Sequence, residues 1–197
     1  DPKETGAHVN RVGAYSAELY EHWAIKNRVT KKEIKKVKGE YRMASMLHDV
    51  GKVGISDIIL KKPGPFNDKE REIIKSHTTQ SIELFKNPTS DMDKLALEIA
   101  VSHHENWDGT GYPGNSKQRT TCRGNDIPLS GRIVKITDVY DALISRRCYK
   151  EPWNEQDAID EIEKNSGSEF DPILVECFFE IYDIIRAIHL KYTEEDN

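Results

Sequence analysis

The 197-residue chain has few cysteines, no excess of basic charge and no long apolar run, and each absence excludes a class of protein. Cys122, Cys148 and Cys177 contain no CxxC pair, which predicts reduced thiols, a cytoplasmic setting and no thiolate zinc site. No stretch approaches the roughly 20 apolar residues that span a bilayer. The formal net charge of -5 disfavours a nucleic-acid or membrane-surface binder. We therefore expect no DNA partner and no direct membrane contact.

The length of the chain sets its expected domain organisation. A chain of 197 residues can bury one sizeable core, and the sequence contains no repeats and no convincing linker. We therefore expect a single domain over residues 1–197. Because the chain begins with Asp1 rather than Met, we expect it to be the C-terminal output domain of a longer protein.

Helical periodicity extends over nearly the whole chain, and alternating strand patterns are lacking, so the predicted fold class is all-α. Residues 4–24 form the first predicted helix. Thr30 and Glu33 form a capping box for a second helix, which reaches His48 before Gly51 ends it. The chain is thus predicted to form a helical bundle.

Four further helix signals follow. Asn67 begins a third predicted helix, and a fourth runs from about Asp91 into His103-His104. Ser130 is the predicted N-cap of the helix that carries Asp138 and Asp141, and Asp171-Pro172 opens the last helix. The inner face of the third helix is predicted to hold Ile74, His77, Ser81, Leu84 and Phe85. Residues 107–129 form the one long irregular stretch, and such loops are usually functional or mobile.

Five of the seven histidines combine with three carboxylates in one ordered series of candidate metal ligands. The series is Glu4, His8, His48, Asp49, His77, His103, His104 and Asp138. Inward-facing imidazoles are costly to bury without partners, and a metal cluster supplies them. Imidazole and carboxylate together suit iron, manganese or zinc. His48 and Asp49, about 100° apart on a helix, would let Asp49 bridge two metals while His48 binds one.

Several strings of the sequence resemble the HD-GYP family, a branch of the HD-domain metal-dependent phosphohydrolases. They are His48-Asp49-Val50-Gly51-Lys52, Lys62-Pro63-Gly64, His103-His104-Glu105, Asp108-Gly109-Thr110-Gly111-Tyr112-Pro113 and Asp138-Val139-Tyr140-Asp141-Ala142-Leu143. The resemblance covers the chain from Glu4 to about Pro172. It implies a helical bundle with a multinuclear metal site in its core, which agrees with the periodicity.

The resemblance also implies roles for individual residues. The whole histidine–carboxylate series would bind metal, with Asp49 as the bridging and catalytic carboxylate. Glu4 matches an additional ligand of members that hold three metals, and we expect three here rather than two. Lys52 would approach the scissile phosphate, and Arg147 and Lys150 would bind phosphate of the substrate. Asp141 and metal-bound water are the two options for the group that protonates the leaving oxygen, and we assign Asp141 to the substrate-binding set.

The expected activity is hydrolysis of cyclic di-GMP to linear pGpG, and further to GMP, by a hydroxide that bridges two or three divalent metal ions. Iron is the first choice of metal, with manganese or zinc as alternatives. A rival substrate is the hybrid cyclic GMP-AMP, which the long loop could favour. Two interpretations of residues 115–126 have equal weight: a lid that selects the dinucleotide, and a surface loop.

Two rival functions belong to other classes. One is a non-catalytic module that senses a nucleotide or binds a diguanylate cyclase domain; the filled ligand positions disfavour it. The other is a phosphohydrolase of nucleoside monophosphates or triphosphates, which Gly111-Tyr112-Pro113 disfavours. A homodimer is expected from the apolar C-terminal helix.

Overall fold

The computed structural model describes residues 6–114, 121–145 and 152–194, and within these ranges the chain forms helices and no β-sheet. The α-helices are α1 (Gly6–Lys26), α2 (Lys31–Ser45), α3 (Asp57–Leu60), α4 (Asp68–Lys75), α5 (His77–Leu84), α6 (Asp91–Ser102), α7 (Leu129–Ile144), α8 (Glu155–Lys164), α9 (Pro172–Glu180) and α10 (Tyr182–Glu194). Short 3₁₀ helices occupy Val50–Gly54 and Gly124–Asp126. The predicted all-α fold is confirmed. None of these helices has both the length and the apolar character needed to cross a membrane.

The predicted helix starts depend on side-chain caps that the structure contains. Thr30 and Glu33 form a reciprocal capping box at α2, so two backbone N–H groups that the helix leaves unpaired gain acceptors. Asn67 begins α4 with the same arrangement. At α9, the Asp171 side chain accepts a hydrogen bond from the backbone N–H of Ile173, and proline occupies the first turn.

The second helix ends earlier than predicted, at Ser45. Beyond it, the N–H of Leu47 donates to the Ala44 carbonyl and that of His48 to the Ser45 carbonyl. These three-residue hydrogen bonds tighten the chain into a turn that leads into the 3₁₀ helix. His48 and Asp49 therefore lie in a turn, and their predicted separation of about 100° on a helix is wrong.

The third predicted helix is divided at Ser76 into α4 and α5. Around the break, the side chains of Ser76 and Thr78 donate to the carbonyls of Ile73 and Lys75, three residues earlier. Such bonds compete with the regular backbone ladder. Beyond the break Leu84 is 51% exposed, so its predicted inward position is wrong.

The C-terminal half of the chain differs from the prediction at three places. Helix α7 begins at Leu129 with Pro128 at its N-cap, while the Ser130 hydroxyl donates to the Glu98 carboxylate instead of capping the helix. The helix that Asp171 opens ends at Glu180, and a separate α10 follows. Helix α8 was not predicted; its N-cap Asn154 is the sequence signal for it.

Helix α1 lies at the centre of the bundle, in contact with α2, α7, α9 and α10, while α6 packs against α2, α5 and α7. A small buried cluster joins four of these helices and consists of Val12, Ala44, Ala96, Ile99 and Val134. The same four helices carry or directly precede most of the predicted metal ligands. The core therefore fixes where those ligands meet.

Candidate metal centre

The predicted metal ligands within the described residues converge at one end of these helices. His8 projects from α1, His48 and Asp49 from the turn after α2, His77 from the start of α5, His103 and His104 from the end of α6, and Asp138 from α7. They form two groups in which the ligand atoms lie within 4.8 Å of one another: Asp49, His77, His103 and His104, and His8, His48 and Asp138. Glu4 lies outside the described residues, as do Arg147 and Lys150.

The carboxylate of Asp49 lies between the two groups. Its Oδ1 is 3.1 Å from Nε2 of His77 and 3.8 Å from Nε2 of His103. Its Oδ2 is 3.2 Å from Nε2 of His48, which in turn is 3.8 Å from Oδ1 of Asp138. Each oxygen of Asp49 therefore faces a different group, as a carboxylate that bridges two metal ions does.

Hydrogen bonds to backbone carbonyls orient three of the imidazoles. His48, His77 and His103 each donate from Nδ1, at 2.8, 2.6 and 3.1 Å, to the carbonyls of Ser45, Ile74 and Ile99. Because a carbonyl only accepts, Nδ1 carries a proton, and in the neutral ring the lone pair lies on Nε2. All three Nε2 atoms face the centre, the arrangement typical of metal-binding histidines.

The donor set fits divalent metal ions. Nε2 of His48, His77 and His103 and Oδ1 of Asp49 are buried, and none has a well-aligned hydrogen-bond partner among the described parts of the chain. A buried polar atom without a partner costs about 1–3 kcal/mol. Divalent cations coordinated by the two groups would satisfy all four atoms. These side chains can thus bind metal.

The charges of the cluster shift the pKa values of its members in different directions. Burial alone would lower the pKa of His48, but Asp49 and Asp138 outweigh burial and raise the pKa to about 9. Burial likewise opposes ionisation of Asp49, yet His48 and Lys52 hold its pKa well below the ordinary value. Burial lowers the pKa of His103 to about 3, which keeps that ring neutral and ready to coordinate.

Metal uptake by the metal-free protein is expected to release a proton, because His48 is protonated at neutral pH when its pKa is about 9. Affinity should rise with pH, by about tenfold per unit for each proton displaced, and level off near the pKa. Calorimetric titration in buffers of different ionisation enthalpy would measure the proton directly. An affinity that does not change between about pH 6.5 and 8.5 would contradict this assignment.

A buried ion pair orients His8. Nδ1 of His8 lies 2.8 Å from Oδ2 of Asp141, and Arg11 donates to both oxygens of Asp141, from Nε at 2.6 Å and Nη2 at 3.0 Å. Asp141 is fully buried. Its carboxylate is occupied by these two partners, so the geometry does not fit the predicted contact with substrate and indicates a positioning role instead.

Arg11 was not among the predicted site residues. Its position could have indicated a role, since a charged residue three positions after His8 falls on the apolar face of the first helix. It is 5% exposed and also donates to the Ser145 hydroxyl.

Lys52 lies beside the bridging carboxylate. Its Nζ is 2.8 Å from Oδ2 of Asp49, and its side chain is 20% exposed. Unlike the buried imidazoles, the ammonium group therefore combines contact with the metal ligands and access to solvent.

The Gly111-Tyr112-Pro113 segment packs directly on the cluster. The Tyr112 ring stacks on His104 with centroids 4.7 Å apart, and the Tyr112 N–H donates to the His104 carbonyl. Glu105 is buried and accepts a hydrogen bond from the Gly114 N–H at 2.6 Å, which closes the segment. The segment therefore covers one side of the imidazole of His104.

Gly51 permits the close approach of the 3₁₀ helix to α5 that brings Asp49 toward His77. A Cβ at this position would overlap the His77 carbonyl oxygen. Gly51→Ala is therefore expected to lower the free energy of unfolding by about 1–3 kcal/mol, measured by urea denaturation.

Gly39→Ala is the matched control for this substitution. Gly39 lies in α2 with no neighbouring atom within 4 Å of an added Cβ, so alanine should stabilise the helix by about 0.5–1 kcal/mol. Equal effects of the two substitutions would contradict the role assigned to Gly51.

Curated proteins resemble this chain over nearly its whole length. The "3'3'-cGAMP-specific phosphodiesterase 2" of Vibrio cholerae is 40% identical over 192 residues, which cover 98% of this chain and 34% of that protein. The "Cyclic di-GMP phosphodiesterase" of Thermotoga maritima is 38% identical over 193 residues, which cover 98% of this chain and 49% of that protein. The chain thus spans half or less of these relatives.

Solved structures share the fold. "Bd1817, a HDG"Y"P protein from Bdellovibrio bacteriovorus" matches with a TM-score of 0.61 at 18% identity, covering 92% of this chain and 54% of that one. A model of the HD domain family matches residues 9–174. That range includes every described ligand of the two groups except His8. The chain therefore belongs to the HD domain family, as the resemblance of its motifs to the HD-GYP branch predicted.

Proposed function

We propose that this chain is a metal-dependent phosphodiesterase that hydrolyses cyclic di-GMP to linear pGpG and further to GMP. The observation that carries the proposal is the pair of ligand groups joined by the carboxylate of Asp49. A relative named "Cyclic di-GMP phosphodiesterase", 41% identical over 200 residues, supports the substrate class. So does the Thermotoga maritima protein of the same name.

Different residues of the chain would have different roles at this site. When bound, divalent metals lower the pKa of water and offset the charge that builds on phosphoryl oxygens. Asp49 would keep the two groups of ligands in a fixed position relative to each other. Lys52, with its partly exposed ammonium, would hold a non-bridging phosphate oxygen as negative charge develops. Arg147 and Lys150, in the segment outside the described residues, would fix the remaining phosphate.

The histidine and carboxylate donors support iron, manganese or zinc, and we propose iron first. We propose three metal ions rather than two, with Glu4 as the additional ligand.

We also propose a cytoplasmic protein that forms a homodimer. The exposed apolar side chains of Ile173, Ile184 and Leu190 on the last two helices support the homodimer. A diguanylate cyclase domain as partner stays a prediction.

A second candidate substrate is the hybrid cyclic GMP-AMP, which the name of the Vibrio cholerae relative favours. The deciding experiment compares hydrolysis of the two cyclic dinucleotides by the iron-loaded chain, purified without oxygen. We expect a higher kcat/KM for cyclic di-GMP. Negligible turnover of cyclic di-GMP with brisk turnover of the hybrid would overturn the proposed substrate. Absence of turnover with both dinucleotides would overturn the proposed phosphodiesterase activity.

A further inference from the structure

A second group of candidate metal ligands lies where α1 contacts α9. It consists of His22, one of the two histidines outside the predicted series, together with Cys177 and Glu180. The ring nitrogen, the sulfur and a carboxylate oxygen lie within 4.8 Å of one another. Since His22 follows His8 by fourteen residues of one helix, the two sites are separated by roughly 21 Å. We propose that this cluster binds a divalent cation of the zinc class.

The geometry is that of a site shared between two helices. Cys177 and Glu180 are three residues apart on α9, so both side chains lie on one face of that helix. Nε2 of His22, on α1, is 2.5 Å from Oε2 of Glu180. Three ligands from the protein leave a fourth tetrahedral position for water or for Glu176, which lies one turn before Glu180.

The donor types favour a borderline-soft cation. Sulfur, imidazole and carboxylate together match zinc or cobalt, whereas calcium and magnesium prefer oxygen alone. Cys177 is fully buried, as thiolate ligands of structural zinc sites commonly are. The sequence, which lacks a CxxC pair, predicted no thiolate zinc site; this cluster needs only one cysteine.

The surrounding charges already attract a cation. Nζ of Lys26 lies 2.8 Å and 2.9 Å from the two oxygens of Glu180 and 3.2 Å from the carboxylate of Glu176. The side chains of Glu176, Glu180 and Lys26 together carry a formal charge of -1. Binding of a divalent cation, with loss of the Cys177 proton to solvent, brings that charge to zero.

Lys26 competes with the metal for Glu180. Its side chain is 35% exposed and can turn toward solvent when the cation binds. Burial raises the pKa of the Cys177 thiol, so the proton stays on sulfur until a metal displaces it. Metal binding at this cluster would join the C-terminal part of α1 to α9.

The test is a titration of the 197-residue chain with Co²⁺ beyond the amount taken up by the first centre, the two ligand groups joined by Asp49. A thiolate bound to Co²⁺ gives a sulfur-to-metal charge-transfer band in the near ultraviolet. The first centre cannot produce this band, because its ligands are histidine and carboxylate. We expect the band in the wild type and its loss in Cys177→Ser, while Cys122→Ser, a second free thiol, keeps it.

Two surface substitutions give the test a quantitative form that does not depend on the buried cysteine. His22→Gln should weaken Co²⁺ binding by more than about tenfold, since loss of even an outer partner of a metal ligand costs about 10- to 100-fold. Lys26→Met should tighten it by roughly twofold to fivefold, the range in which exposed ion pairs contribute.

Three outcomes would show that the cluster is an ion-pair network only. They are absence of the band, its persistence in Cys177→Ser, and equal affinity of His22→Gln and the wild type. Hydrolysis of cyclic di-GMP should be unchanged in His22→Gln and Lys26→Met. Failure of this proposal would therefore leave the phosphodiesterase proposal intact.

Discussion

Asp49→Asn is expected to lower turnover of cyclic di-GMP by at least about 10³-fold, because metal-assisted catalysis supplies several kcal/mol and each 1.36 kcal/mol is about tenfold in rate. The two oxygens of Asp49 face different groups of imidazoles, so the amide offers only one good ligand atom where two are needed. Metal content should fall with turnover. The measurement is the steady-state rate together with elemental analysis of the same sample.

Asp57→Asn is the matched control for this variant. Asp57 is an exposed carboxylate paired with Lys61 at 2.7 Å on the surface, so the same chemical change should leave turnover and metal content unchanged. Wild-type turnover in Asp49→Asn would contradict the role of the carboxylate and would favour a non-catalytic, nucleotide-sensing module.

Asp141→Asn is expected to lower the free energy of unfolding by about 3–5 kcal/mol, since it removes the negative charge from a buried ion pair and leaves the guanidinium of Arg11 in place. It should also weaken metal binding by about 10- to 100-fold, because Asp141 orients the ring of His8. Urea denaturation and a metal titration measure the two effects. The exposed pair of Asp57 and Lys61 again gives the control, with an expected loss of about 1 kcal/mol or less.

The same variant has an expected signature in the pH dependence of stability. Burial alone would raise the pKa of Asp141, but hydrogen bonds from His8 and Arg11 outweigh burial and hold it below the ordinary value. The contribution of the carboxylate is therefore present above the unfolded pKa of about 3.9 and is lost as pH falls through the folded pKa. Asp141→Asn should remove this part of the acid-induced loss of stability. If Asp141→Asn loses stability at low pH to the same extent as the wild type, the buried pair is not ionised.

The sequence predicted the fold class and most of the ligand positions because helix periodicity reports which face is buried. His8 is buried on the face of α1 that the periodicity placed inward, and the capping boxes at Thr30 and Asn67 lie where the sequence placed them. Both signals are local, since they depend on residues within one or two turns of a helix. Both signals can therefore be recognised in the sequence without knowledge of the fold.

Other features depend on contacts between distant segments and were missed. The turn that carries His48 and Asp49 is stabilised by its packing against α5, where Gly51 meets the His77 carbonyl. The pairing of Arg11 with Asp141 joins residues 130 positions apart, so the carboxylate was assigned to substrate rather than to His8. Ser130 has the residue type of an N-cap, but its hydroxyl bonds to Glu98 on another helix. Local patterns cannot reveal such partners.

We propose above that the two groups of ligands joined by Asp49 form one hydrolytic metal centre. The most direct measurement removes metal from the wild-type chain, restores iron in steps without oxygen, and follows cyclic di-GMP hydrolysis against metal bound per chain. We expect negligible turnover until the groups on both sides of Asp49 are filled, and full turnover once they are. Full turnover with one metal or fewer per chain, or no turnover in the fully loaded chain, would contradict this expectation.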